Sequence, residues 1–372
     1  MEEKEYFLKL TSVLKEELTS DSLKTHFEQF EKVCELARII INHSELYGLE
    51  KRKCEHEMEL EESKKIVGGF FGQLNPNYFN KFKRIMANKQ RINGSNTKYY
   101  RTKYYRTKYI PIKQLNKKEN ESSVSLRGNI DIFYNETVED AYTIVHEIYH
   151  TFNHLYGQES ILRDFLGEST TITAELLFGD YLQSKQIINS ETAKIEKRNR
   201  VISTYNDAWG VIFEKNLINI YKKHHRLDRK ILEDYLESFD KDSIEYKVFS
   251  ERGKHYLNSI MDSDYPCLTF PKRQRYVLGT LIAFDFYQRI KENPEKIKDL
   301  FYLTDVLGHA QATYKEDLSF LSSLDIPFIK DNNIIVNDEV ITRLENSFSQ
   351  ELSSIKLEKI YLTKNKQVNL AF

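Results

Sequence analysis

Apolar residues recur at intervals of three and four along most of the chain, the spacing of a helix that buries one face. Up to about residue 66 this spacing predicts three helices, of which the third, over 50–66, is densely charged. Gly68 and Gly69 are expected to end that helix, and another is expected from Asn75 through Met86. The first two stripes contain Phe7, Leu8, Leu10, Leu14 and Leu18, and Phe27, Phe30, Val33, Leu36, Ala37 and Ile40.

The helical pattern is interrupted at residues 128–134, where apolar and polar side chains alternate and predict a short strand. Thr137 is then predicted to be the N-cap of a helix. Asp140, three residues later, occupies the position of the acidic residue in a capping box. The helix that follows is expected to run to about Tyr156 and to end at Gly157. Its apolar stripe is formed by Ala141, Ile144, Val145, Ile148 and Phe152.

The remainder of the chain is also predicted to be helical. An acidic helix is expected over 165–182, long helices of mixed charge over 190–262, and the most apolar helix over 276–284. An amphipathic helix at about 338–355 is the last. Because glycine (13) and proline (6) are also sparse, the fold class is predicted to be mainly α. The polar stretch 116–123 suggests a boundary near 115, which divides an N-terminal helical region, 1–115, from a second region, 116–372.

Composition narrows the class of protein. The 372 residues are 40% hydrophobic, which is enough for a sizeable core, and 55 basic residues nearly balance 56 acidic ones. No overall field therefore favours nucleic acid or an acidic membrane. Three widely spaced cysteines imply no disulfide framework, and neither a signal peptide nor a membrane-length apolar run is apparent. The expectation is a soluble, cytoplasmic protein; no oligomeric state is predicted.

A five-residue unit repeats between Thr97 and Ile110, as T-K-Y-Y-R, T-K-Y-Y-R and T-K-Y-I. Its composition favours strand. One interpretation is a basic, aromatic ribbon that binds an anionic polymer by stacking and charge. Since no recognisable nucleic-acid-binding motif surrounds the repeat, a solvated hairpin or loop is preferred and nucleic acid is not expected as a partner.

The candidate chemistry lies in residues 146–150, which read H-E-x-x-H. On a helix, His146 and His150 lie on one face and can direct both imidazoles at one ion, while Glu147 can reach a water bound to that ion. Neutral imidazoles bind Zn²⁺ without cancelling its charge, so the ion lowers the pKa of its water to about 7. The motif predicts one Zn²⁺ per chain, with Glu147 as the catalytic base.

Such a site needs a further protein ligand and one open position. Glu168 and Glu175 lie two turns apart on one face of the predicted 165–182 helix, among apolar rather than charged neighbours, so either could supply a carboxylate. His154 continues the face of the two histidines. Because ligands at three successive turns of one helix suit a tetrahedral ion poorly, His154 is predicted to be a cleft residue instead.

From Ile130 to Leu182 the chain resembles the thimet oligopeptidase and oligoendopeptidase F family of zinc metallopeptidases. The segment 137–147 is similar to the start of the family's zinc helix, and 165–182 is similar to the helix that bears its third ligand. A weaker similarity, at 276–279, involves a family tyrosine that stabilises the oxyanion. The span 130–182, which contains the two stronger segments, covers about a seventh of the chain.

The resemblance implies specific roles and a fold. Glu175, 25 residues after His150, would be the third zinc ligand, Glu168 would accept the remaining N–H of a ligand histidine, and Tyr276 would stabilise the oxyanion. Region 116–372 would be the catalytic region of a helical zincin-type metallopeptidase, with a small β element before the zinc helix and a channel-shaped cleft. The implied activity is hydrolysis of short peptides.

The chain also departs from the family pattern. Tyr149 stands where the family usually has glycine and is expected to crowd the site or reshape the cleft. Asn153 replaces a family histidine, and 272–275 replaces a tyrosine-rich run. The family's substrate-binding histidine has no counterpart, and the chain is shorter than most members. These departures motivate an alternative prediction, a peptide- or protein-binding module on a degenerate peptidase scaffold.

Overall fold

The computed structural model describes residues 3–20, 24–87, 100–102, 105–107, 123–124, 130–131, 136–153, 161–261, 266–308, 324–326, 329–330 and 333–355. Over these residues the chain is mainly helical, as predicted. The helices are α1 (Glu3–Thr19), α2 (Lys24–Ile41), α3 (Leu60–Leu74), α4 (Pro76–Ala87), α5 (Val138–Asn153), α6 (Ile161–Ser184), α7 (Ser190–His224), α8 (Arg229–Glu237), α9 (Ile244–Met261), α10 (Phe270–Glu292), α11 (Ile297–Gly308) and α12 (Asp338–Ser353), with short 3₁₀ turns at Ser44–Leu46 and Pro294–Lys296.

Short antiparallel strand pairs accompany these helices. Strands β1 (Tyr100–Thr102) and β2 (Tyr105–Thr107) pair within the five-residue repeat, in line with its strand propensity. The remainder of the repeat lies outside the described residues. Strands β3 (Ser123–Val124) and β4 (Ile130–Asp131) pair shortly before α5, and β5 (Ile329–Lys330) pairs with β6 (Asn333–Ile334) before α12.

The third helix differs from its prediction. It begins at Leu60 rather than near residue 50, and Gly68 and Gly69 lie inside it rather than at its end. A Cβ on Gly68 would come 2.8 Å from the Phe82 ring, so glycine allows α3 to pack closely against α4. Leu8, assigned to the first apolar stripe, is also largely exposed.

The N-terminus of α5 is fixed by backbone and side-chain hydrogen bonds. The Asp140 carboxylate accepts the backbone N–H of Thr137 at 2.8 Å, which is half of the predicted capping box. The Thr137 hydroxyl, however, has no hydrogen-bond partner in the described part of the chain, so the other half does not form there. Val138 N donates to the carbonyl of His56 at 3.0 Å, and Met58 N donates to that of Glu136 at 3.1 Å. The segment before α3 thereby holds the start of α5.

Within the described ranges, two clusters of buried apolar side chains form the core, and α6 contributes to both. Phe165 and Ile172 join the larger cluster, while Ala174 and Phe178 join the cluster that α3, α4 and α5 build. Each cluster contains residues from both sides of position 115. Because both flanks of α6 are covered, the polar residues in its middle are buried as well: Glu168, Ser169, Thr170, Thr171, Thr173 and Glu175. None of the described helices is both long and apolar enough to cross a membrane.

Candidate metal centre

Helix α5 places the H-E-x-x-H residues one turn apart in its middle, as predicted. The Nε2 atoms of His146 and His150 face each other at 3.0 Å. Both imidazoles are mostly covered by protein, with side-chain exposures of 13% and 16%. Two ring nitrogens are therefore brought together in a site with little access to water.

The carboxylate of Glu168, on α6, completes a group of three ligand atoms. Its Oε2 lies 3.7 Å from Nε2 of His146 and 3.6 Å from Nε2 of His150. Among the described residues, these three form the only set of histidine, cysteine or acidic side chains whose ligand atoms all lie within 4.8 Å of one another. The arrangement could hold a metal ion.

The spacing and the hydrogen bonding of these atoms both fit a cation. Zinc bonds of about 2.0–2.2 Å in tetrahedral geometry separate neighbouring ligands by roughly 3.3 Å, and the three observed separations bracket that value. Glu168 Oε2 is moreover buried and makes no hydrogen bond to any of the residues that the structure describes. A buried carboxylate oxygen without a donor is costly, and a bound cation would satisfy it.

Glu175 occupies a different position from the one implied by the family resemblance. Its Oε1 hydrogen-bonds Nδ1 of His146, on the opposite edge of the imidazole from Nε2. Arg200, on α7, donates from Nη2 to both carboxylate oxygens of Glu175, at 2.7 Å in the case of Oε1. Burial opposes ionisation of Glu175, but Arg200 and His146 outweigh it and lower the pKa of the carboxyl. Glu168, rather than Glu175, therefore lies with the two Nε2 atoms, while Glu175 lies at Nδ1 of His146.

The position of α6 relative to α5 determines which of the two carboxylates lies beside the Nε2 atoms. Residues seven apart share a helix face, so sequence spacing alone permits either carboxylate to point at the histidines. The side-by-side packing of the two helices brings Glu168 level with the Nε2 atoms and Glu175 level with Nδ1 of His146. Their separation along the helix, about 10 Å, decides which carboxylate reaches which edge.

His150 is oriented by a hydroxyl group. Thr171 Oγ1 lies 3.4 Å from Nδ1 of His150 and donates its own proton to the carbonyl of Gly167 at 2.9 Å. With its proton committed to that carbonyl, the Thr171 oxygen accepts Nδ1–H of His150. Both histidines therefore carry an acceptor at Nδ1 and direct Nε2 at the common point beside Glu168.

Glu147 is buried beside this group, and its pKa is raised. Burial raises the pKa of Glu147 to about 7, while the charge of His146 opposes the rise and that of Glu168 adds to it. A carboxyl that titrates near neutrality can both accept and return a proton at physiological pH. This environment suits the base role predicted for it.

Tyr276, on α10, reaches the same neighbourhood. Burial raises the pKa of Tyr276 to about 12, and the carboxylate of Glu168 contributes to that rise. Arg275 Nη2 donates to the Tyr276 hydroxyl at 3.2 Å, and its Nε lies 3.6 Å from Glu168 Oε1. The phenol thus remains protonated at neutral pH and can donate a hydrogen bond.

Of the two predicted cleft residues, Tyr149 points elsewhere and His154 lies outside the described residues. Tyr149 is fully buried, and its hydroxyl forms a hydrogen bond of 3.0 Å with Thr304 of α11. Its ring lies against Phe71 and Phe152. Tyr149 therefore fills the core behind α5, and the expectation that it crowds the site is wrong.

Three residues of this neighbourhood were not singled out from the sequence: Thr171, Arg200 and Arg275. Thr171 carried a usable signal, because it lies three residues after Glu168 and four before Glu175 on the same helix face. Arg200 and Arg275 carried none, since they belong to helices whose packing against α6 is set by the fold as a whole.

No family model matches this chain, and no curated protein or solved structure matches it either. The side chains of the candidate metal centre are therefore the structural basis for a functional proposal.

Proposed function

We propose that the protein is a zinc-dependent peptidase. The observation that carries the proposal is the convergence of His146 Nε2, His150 Nε2 and Glu168 Oε2 beside Glu147. Two imidazoles and one carboxylate are a donor set of catalytic zinc sites, which keep a further position open for water or substrate. Structural zinc sites, in contrast, usually close all four positions with protein ligands, often cysteines.

The protein's own residues supply the remaining functions. A bound Zn²⁺ would lower the pKa of a water molecule and polarise the scissile carbonyl. Glu147 accepts a proton from the attacking water and returns it to the leaving amine. The Tyr276 hydroxyl donates a hydrogen bond to the oxygen on which negative charge develops. Glu175 and Thr171 accept the Nδ1 protons and so orient the two histidines.

Short peptides are the substrate class that we propose. The support is the resemblance of residues 130–182 to oligopeptidases, whose helical fold encloses a channel that admits peptides rather than folded proteins. The burial of His146, His150 and Glu147 agrees with a centre that an extended chain can reach more easily than a protein surface can. A channel-shaped cleft, a catalytic region at 116–372 and a cytoplasmic location belong to the same proposal.

The test is a digest of a mixed synthetic peptide pool, read by mass spectrometry. Zinc-loaded protein is compared with the zinc-loaded Glu147→Gln variant, which retains every proposed ligand but lacks the base. Cleavage by the unmutated protein alone is the expected result, and the cut sites give the specificity. Cleavage at the same sites by both would contradict the role of Glu147.

The same two samples, the zinc-loaded protein and its Glu147→Gln variant, also test the alternative, a peptide- or protein-binding module. If one zinc is bound per chain and neither sample cuts any peptide, capture of intact peptides in a pull-down from the pool would favour the binding module. The buried position of Tyr149 removes one of the sequence features that motivated this alternative.

A further inference from the structure

Arg200 connects a third helix to the candidate metal centre. Its Nη2 donates to both oxygens of Glu175, and Glu175 Oε1 in turn bonds Nδ1 of His146. The chain of contacts thus passes from α7 through α6 to α5. The Arg200 and Glu175 side chains are only 25% and 11% exposed, so the ion pair is little screened by water.

A glutamate orients an imidazole only if the glutamate itself is held in place. The Glu175 side chain has three rotatable bonds, and its hydrogen bond to Nδ1 depends on all of them. Contact of Arg200 with both oxygens fixes the position of the carboxylate and leaves Oε1 directed at His146. His150 needs no such support, because Thr171 is a short side chain whose hydroxyl is already bonded to its own helix.

From this geometry we infer that Arg200 is a positioning residue for the metal centre. It holds Glu175 in the orientation that directs Nε2 of His146 towards Nε2 of His150 and Oε2 of Glu168. The inference rests on the proposed function, because it concerns the affinity of that centre for zinc. It adds a residue that neither the motif nor the family resemblance indicates.

Arginine suits this role better than lysine does. The guanidinium is planar and its N–H groups have fixed directions, so it can define the orientation of a carboxylate, whereas a lysine ammonium acts as a point charge on a flexible stem. Arg200→Lys should therefore keep the charge but lose part of the orientation. Arg200→Gln should lose both.

The experiment measures zinc affinity by competition with a chromophoric chelator, using the full chain. Loss of an outer partner of a metal-bound histidine typically weakens metal binding 10–100-fold. We expect a loss of about that size for Arg200→Gln and a smaller loss for Arg200→Lys. Glu175→Gln together with Arg200→Gln should bind zinc about as weakly as Glu175→Gln alone, since Arg200 acts through Glu175. Arg200→Lys keeps the buried charge, so its smaller loss keeps the test usable if Arg200→Gln alone fails to fold.

Arg198 provides a matched control. It lies on the same helix and is buried, but it donates to the backbone carbonyl of Glu50 at 2.6 Å instead of to the metal centre. Arg198→Gln should lower thermal stability and leave zinc affinity unchanged. The visible spectrum of bound Co²⁺, which reports ligand geometry, should change in Arg200→Gln and stay the same in Arg198→Gln.

The outcomes separate this role from the proposed function. If Arg200→Gln binds zinc as tightly as the unmutated protein, the positioning role of Arg200 is overturned and the proposed function is not. The same holds if Arg198→Gln loses as much zinc affinity as Arg200→Gln does. Failure of the unmutated chain to bind zinc through His146 and His150 would overturn the proposed function, and this role with it.

Discussion

Gly279 of α10 lies directly against Glu168 of α6. A Cβ at Gly279 would come 2.8 Å from the Cβ of Glu168, and also 3.2 Å from the carbonyl oxygen of Phe165 and 3.3 Å from the backbone nitrogen of Ser169. None of these atoms is the far end of a flexible side chain. The close approach of the two helices thus depends on a missing methyl group, at the position of the proposed ligand.

Gly279→Ala is therefore expected to displace α6 and Glu168 with it. Overpacking of this kind typically costs about 1–3 kcal/mol of folding free energy. Zinc affinity should fall by roughly tenfold or more, since the metal centre tolerates little displacement. Denaturant unfolding of the metal-free protein and chelator competition measure the two effects separately.

Gly72→Ala is the control for that substitution. Its Cβ would meet only the Phe79 ring, at 3.8 Å, an ordinary contact. Stability should stay the same or rise by up to about 1 kcal/mol, since alanine favours a helix interior more than glycine does. Unchanged stability and zinc affinity in Gly279→Ala would contradict the close-packing argument.

Glu168→Gln should weaken zinc binding more than Glu175→Gln does. The first change removes the proposed anionic ligand, and we expect a loss beyond about 100-fold. The second removes only the acceptor at His146 Nδ1, for which about 10–100-fold is typical. Competition titrations on both variants provide the ranking. The reverse ranking would restore Glu175 as the ligand.

Zinc affinity should rise with pH between about 7 and 9. Burial lowers the pKa of His146, but the carboxylate of Glu175 outweighs burial and raises that pKa to about 9. At a pH below this pKa, Zn²⁺ must displace the proton on Nε2, so each decrease of one pH unit lowers the apparent zinc affinity about tenfold. At a pH above this pKa, Nε2 carries no proton and the affinity no longer depends on its titration.

The dependence should shift in Glu175→Gln. Without the carboxylate the pKa of His146 falls, so the affinity should become independent of pH at a lower pH than in the unmutated protein. Competition titrations at several pH values, corrected for the titration of the chelator, measure both curves. If the zinc affinity of the unmutated protein does not change from pH 7 to 9, His146 is not protonated in the metal-free state.

Tyr149→Phe should affect stability and leave the metal centre intact. The substitution removes the buried hydrogen bond to Thr304, which is worth about 1 kcal/mol, but keeps the ring in its aromatic cluster. Unfolding measurements should show that loss, with zinc affinity and peptide cleavage unchanged. A change in cleavage sites would instead place Tyr149 near the substrate.

Tyr276→Phe should reduce kcat while zinc affinity stays the same. Removal of a hydrogen-bond donor to a developing oxyanion typically costs about 10²–10³ in kcat. Steady-state kinetics on a peptide identified in the digest tests this, and Tyr302→Phe, at an exposed position on α11, serves as the control. A loss confined to KM would indicate that Tyr276 binds the substrate equally well in the ground state and the transition state.

Local interactions account for the parts of this centre that the sequence predicted. The apolar periodicity placed His146, Glu147 and His150 inside α5, and the four-residue spacing brought the two imidazoles together, because helix geometry is the same in any fold. The same rule predicted α6 and the shared face of Glu168 and Glu175. The predicted end of the 50–66 helix was wrong because two glycines resembled a helix end, whereas close packing against α4 explains Gly68.

The sequence by itself therefore determined a mainly helical chain, the helix that carries the H-E-x-x-H residues, and a second helix with two acids facing them. The tertiary structure alone decided which acid meets Nε2, because that depends on the position of α6 along α5. It also decided that Tyr149 faces the core and that Arg200 reaches Glu175 from α7. These contacts join residues distant in the chain, and only the packing of whole helices sets their distances.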